Sequence, residues 1–125
     1  MSRFYVALTP RGKFTVLDAV AQAAEGGDLA SQVHQVVTAQ WGELGGVAQR
    51  TVSCPDGSVV LNELVDPDGE AGRNPFAEGV VQAMDHTTTP IRGTVVFTAT
   101  TPDGGLTEWE LNLLAALYDN VASML

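Results

Sequence analysis

The tripeptide Pro55-Asp56-Gly57 separates two runs that both read as strands, Val47 to Cys54 and Ser58 to Val65. Proline presets the first dihedral of a turn, and glycine accepts the left-handed position that a bulged hairpin requires. The two runs are therefore expected to fold back on each other, so the domain contains at least one antiparallel strand pair.

The flanking segments alternate between the two periodicities. Phe4, Val6 and Leu8 interleave with Arg3, Tyr5 and Ala7 as in a half-buried strand, and Thr9-Pro10-Arg11-Gly12 reads as a turn. Lys13 to Val16 fits either a returning strand or the start of a helix capped by Thr15, with Asp18 three residues on. A helix over Thr15 to Ala24, ended by Gly26-Gly27, is the favoured expectation. Asp28 caps a second helix with Leu29, Val33, Val36, Val37, Gln40, Trp41 and Leu44 on one side, stopped by Gly45-Gly46. After the polar loop Asp66 to Arg73, Asn74 caps and Pro75 opens a third helix that buries Phe76, Val80 and Met84. Val95, Phe97 and Ala99 mark a further strand before the turn at Pro102. Thr107 and Glu110 form a capping box for a long last helix. The order predicts a small α+β domain, with a single-layer mixed or antiparallel sheet of about four strands packed by about four helices. No linker divides residues 1–125.

Composition narrows function more than it defines it. At 13.1 kDa the chain is long enough to bury a core without staples. Cys54 is the single cysteine, which excludes an intrachain disulfide. The apolar stretch before Pro10 is too short for a signal-peptide core or a membrane span. A cytoplasmic location is expected, and a virus particle assembled in cytoplasm would look the same. Fifteen acidic against six basic residues leave a net charge of −9, with the cations scattered along the chain. Direct binding to nucleic acid or to an anionic membrane surface is accordingly disfavoured.

Residues with chemical capacity all have ordinary structural explanations. His86, at the end of the third helix, suits a C-terminal cap, and with Asp85 and Thr88 it forms the only candidate for proton transfer or phosphate contact. His34 sits on the flank of the second helix and reads as a boundary residue. Cys54 lacks a nearby cation other than Arg50, so an activated thiolate is not expected. Asp66, Asp68 and Glu70 crowd one loop, but Pro67 interrupts the spacing a calcium loop requires and Ala77 stands where its bidentate glutamate belongs. No cofactor motif is present: the glycine pairs lie at element ends without phosphate-cradling spacing.

The last helix carries an apolar arc wider than one stripe. Leu113, Leu117, Val121 and Met124 cluster, while Trp109, Leu111, Leu114, Tyr118 and Leu125 widen the arc. Either other parts of the chain cover both flanks, or a second subunit does. The leading expectation is a noncatalytic interaction or assembly protein, self-associating through Trp109, Leu113, Leu114, Leu117, Tyr118 and Val121 as a homo-oligomer. Two rivals stand beside it. One is a small enzyme or binder with a site near His86. The other is an acidic inhibitor or nucleic-acid mimic presenting Asp56, Asp66, Asp68, Glu70 and Asp103.

Overall fold

The computed structural model describes residues 4–18, 33, 36–37, 46–54, 57–65, 72–86, 90–100 and 105–125. Five strands, β1 (Phe4–Leu8), β2 (Phe14–Asp18), β3 (Gly46–Cys54), β4 (Gly57–Val65) and β5 (Val95–Ala99), form one sheet in the order β2-β1-β5-β4-β3. Every neighbouring pair is antiparallel. Two helices stand complete among the described residues, α1 (Pro75–Asp85) and α2 (Glu108–Met124). The α+β class, the single sheet and the long last helix agree with the sequence reading, but five strands replace the expected four. Of the segment expected as the second helix, only Val33, Val36 and Val37 are described, and they are helical.

The clearest correction concerns Thr15 to Ala24. Phe14–Asp18 is a strand, with Leu8 opposite Phe14 and Phe4 opposite Asp18, while residues 19–24 lie outside the described part. The turn decides it. The Gly12 N–H donates to Thr9 O at 3.0 Å, the Thr9 N–H to Lys13 O at 3.1 Å, and the Lys13 N–H to Thr9 Oγ1 at 3.0 Å. Gly12 takes a φ of 87° that a side chain would resist. The chain thus reverses directly, and Thr15 and Val16, both β-branched, continue as a ladder where a helix would have needed Thr15 as its cap.

The middle hairpin forms as read: β3 and β4 pair along nine residues each, from Gly46 opposite Val65 to Cys54 opposite Gly57. Pro55 and Asp56, like Pro102, lie outside the described residues.

Register sorts the side chains between two faces. Val6 opposite Phe97, Leu8 opposite Val95 and Leu61 opposite Phe97 build one apolar row, which packs against Ala77, Val80, Val81 and Met84 of α1 and Leu114 and Val121 of α2. On the other face Tyr5, Ala7 and Val96 pack with Val33 and Val37. Because β1 and β5 are covered on both sides, nearly all of their residues are buried.

Asn74 joins these layers. It is fully buried; its Oδ1 accepts the Ala77 N–H at 3.0 Å as the cap of α1. Its Nδ2 donates to Leu8 O at 3.0 Å and to Gly93 O at 2.9 Å, fixing α1 to the end of β1. The capping box of α2 is also present, with Thr107 N–H to Glu110 Oε1 at 2.8 Å and Glu110 N–H to Thr107 Oγ1 at 3.2 Å.

Candidate interaction groove between the two helices

α1 and α2 cross closely because Gly79 has no side chain. A Cβ there would stand 2.7 Å from Val121 Cγ1, inside any permitted contact. One turn before Val121, the Tyr118 ring packs on Phe14 at a centroid separation of 5.0 Å and on Phe76 at 6.2 Å. Its hydroxyl donates to Gly12 O. Gly12 meets the same cluster, for a Cβ at that position would lie 2.6 Å from the Phe76 ring. The middle of α2 is thereby held against both the first hairpin and the start of α1.

Beside this crossing the two helices leave an open groove of about 720 Å³. Gly79 and Ala83 of α1 and Leu117 and Val121 of α2 line it, with Met124 and Leu125 at its mouth. These last two are the most exposed large apolar residues described, at 76% and 68%. Among the described residues, Glu78 is the one charged side chain in the lining. It is held by Arg73, whose Nη2 lies 2.5 Å from Glu78 Oε1 and whose Nε donates to Oε2 at 3.1 Å, and Oε2 also accepts the Ile91 N–H at 3.3 Å. The Arg73 hydrogen bonds outweigh partial burial and keep the Glu78 carboxyl below its ordinary range, while Arg73 holds its proton more firmly than a free guanidinium.

A second ionic contact sits at the β3–β4 end of the sheet. Arg50 Nη2 and Glu63 Oε2 are 3.8 Å apart, too far for a hydrogen bond. Arg50 Nε and Nη2 and Glu63 Oε2 are shielded from solvent without a hydrogen-bond partner, an arrangement that repays little of its desolvation.

The structure distributes the expected site residues unevenly. Leu114 and Val121 belong to the internal core, and Leu111, Leu117 and Tyr118 pack against it. Leu113 is half-buried, and Trp109 is 47% exposed near the start of α2. Of the line Leu113, Leu117, Val121 and Met124 that the sequence suggested, Val121 is buried, Leu113 and Leu117 are half-buried and Met124 is exposed, while Leu114, from the flank of that line, is fully buried. Tyr118, on the same helix, packs on the first hairpin through Phe14.

His86 is exposed and ends α1 in the left-handed conformation, φ 63°, its own backbone N–H donating to Gln82 O at 2.9 Å. Asp85 is half-buried and does not line the groove. Thr88, His34, Asp56, Asp66, Asp68, Glu70 and Asp103 lie outside the described residues. Among the described residues no group of His, Cys, Asp and Glu side chains converges as a metal site would, and no helix is long and apolar enough to cross a membrane. Cys54 is half-buried against the helix-side core.

Sequence reasoning had reached Leu117 and Val121 but missed Gly79, Ala83 and the Arg73–Glu78 clasp. Gly79 was the available signal: a glycine inside a helix costs about 1 kcal/mol relative to alanine, so its presence there points to a close approach. Comparison with protein-family models, with curated proteins and with solved structures finds no match to this chain.

Proposed function

We propose that this chain is a noncatalytic interaction module that works by assembling into a homo-oligomer. The observation that carries the reading is the apolar groove between α1 and α2, with Met124 and Leu125 exposed at its mouth on a molecule whose net charge is −9. Exposed apolar side chains grouped beside a concave apolar surface mark interaction sites more often than single surface residues do. The rest of an acidic surface keeps copies soluble and apart.

The test is absolute mass by light scattering after size exclusion, at two concentrations about tenfold apart. A mass that is a multiple of 13.1 kDa at the higher concentration supports assembly. A mass of one chain at both concentrations overturns it.

A further inference from the structure

We propose that β3 pairs antiparallel with β3 of a second copy of this chain, about a two-fold axis at Gln49, so that two five-stranded sheets join into one of ten strands. The inference rests on the assembly reading above and adds to it a surface away from the groove.

The backbone sets the kind of partner. Cys54 and Gly57 close a two-residue turn and so exchange both of their backbone bonds, and by alternation Gly46, Ala48, Arg50 and Val52 also turn theirs to β4. Val47, Gln49, Thr51 and Ser53 direct theirs outward, where β3 has no further neighbour in the sheet among the described residues. The side chains of Ala48, Gln49, Thr51 and Ser53 are exposed. What fits such a row is another strand. Edges are ordinarily guarded by shortness, proline, a bulge or charge. β2, at the opposite edge, has five residues and ends on Asp18, whereas β3 runs for nine in unbroken register without proline, lysine or carboxylate.

Charge selects the occupant and the register. On a chain of net charge −9, β3 is an edge that two copies can bring together without setting carboxylates face to face. A two-fold centred on Arg50 would oppose two guanidinium groups directly, which is unfavourable. Centred on Thr51, it would set Arg50 opposite Val52, a fully buried side chain. Centred on Gln49, it sets Val47 opposite Thr51 and Arg50 opposite the small, exposed Ala48 of the second copy. Ala48 lies opposite Glu63 of β4, so Arg50 of one copy and Glu63 of the other share a face two strand spacings apart, about 10 Å, with only a methyl group between them. An extended arginine and a glutamate span that distance. Within one chain the pair is poorly made: Arg50 Nη2 and Glu63 Oε2 are 3.8 Å apart, three of its charged-group atoms are shielded and unbonded, and the two side chains stay 30% and 28% exposed. Through those open parts a second copy offers each carboxylate another guanidinium, and the four charges balance. A strand of unrelated sequence need not carry an arginine at that place; a second copy carries it by symmetry.

The experiment uses two single-cysteine full-length proteins in a Cys54→Ser background, one with Val47→Cys and one with Thr51→Cys. In the proposed register these positions face each other with Cα atoms about 5.5 Å apart, within disulfide range. Each position is about 13 Å from its own copy, four residues out of register. Under mild oxidation with diamide, the mixture should therefore give an interchain disulfide dimer well above the level of either protein alone. Light scattering on the unoxidised mixture runs beside it. A multiple mass without enrichment of the mixed disulfide keeps assembly but overturns the β3 edge as its interface. A single-chain mass overturns both. As an independent variant, Thr51→Pro removes an outward N–H that the β3–β4 ladder does not use and should weaken self-association about tenfold or more. An unchanged association constant, with the fold intact by circular dichroism, overturns the proposal.

Discussion

On its helix side the sheet presents Val6, Leu8, Val59, Leu61, Val95 and Phe97, whereas the alternate residues of the same strands give the other face Tyr5, Ala7 and Val96 beside the amide of Asn62 and the hydroxyl of Thr98. Asn62 is buried, yet every polar atom of its side chain is bonded. Nδ2 donates to Val96 O at 3.0 Å and Thr98 Oγ1 at 3.1 Å, and Oδ1 accepts from Gln49 Nε2 at 2.9 Å. One face is held by volume and the other partly by direction. A packed apolar side fails when atoms are removed, while a bonded polar side fails when one partner is left without the other.

The largest effect should come from the helix side. Leu114→Ala removes a fully buried side chain from between α2 and the sheet and should lower unfolding free energy by about 3 kcal/mol in urea denaturation. A loss under about 1 kcal/mol would mean that α2 can settle into the space and that this face is not volume-limited. Next, Asn62→Ala should cost about 2 kcal/mol, because Thr98 and Val96 O lose a buried donor. Adding Thr98→Val should then cost little more, since the hydroxyl has already lost that partner. The comparison sharpens in the combined Leu114→Ala, Asn62→Ala protein: its loss should equal the sum of the single losses to within about 0.5 kcal/mol, as for sites without shared contacts. A larger departure would show that the sheet transmits strain from one face to the other.

Tyr118→Phe should cost about 1 kcal/mol, the value of one hydrogen bond, because the ring keeps its place on Phe14 and Phe76 while Gly12 O loses its donor. The smallest effect belongs to Glu78→Gln, and it depends on pH. The Glu78 carboxyl titrates lower in the folded protein than in the unfolded chain, where its value is about 4.3. Its contribution is therefore present above that value and lost as pH falls through the lower folded value. Thermal melts should show the native protein ahead of Glu78→Gln near neutrality, with the gap closing on acidification below about pH 4. Arg73 is largely exposed, which keeps the gap small.

Where local chemistry and tertiary packing agree, the sequence could be read. Asn74-Pro75 and Thr107 with Glu110 specify helix starts through bonds made within one turn, and both are present. The β3–β4 hairpin follows from strand runs separated by turn residues. Phe14 to Asp18 was harder because Thr15 and Asp18 have the spacing of a helix cap while the decisive information, a hydrogen-bonded return at Thr9 and a neighbour in β1, lies outside the segment. Which residues of α2 turn fully inward was hidden for a related reason. Its apolar arc is too wide to choose its own inward line, and contacts with Phe14, Phe76 and Gly79 choose it instead. The groove was less legible still, since its lining brings together residues of two helices far apart in the sequence, Glu78, Gly79 and Ala83 with Leu117 and Val121.

The strand order also has a kinetic meaning. The hairpins β1–β2 and β3–β4 each close a loop local enough to form early, or in the second case a tight turn, but neither touches the other along the sheet. Five residues, Val95–Ala99, stand between them and bond to both. Until that late strand arrives, the inner edges of β1 and β4 are open, and its pairing with β1 spans most of the chain, the kind of distant contact that slows folding. Once seated, its amides are divided between the two neighbours, so freeing all of them requires both β1 and β4 to let go. The slowest-exchanging hydrogens of the molecule should accordingly cluster in its five-residue central strand, which joins the two hairpins.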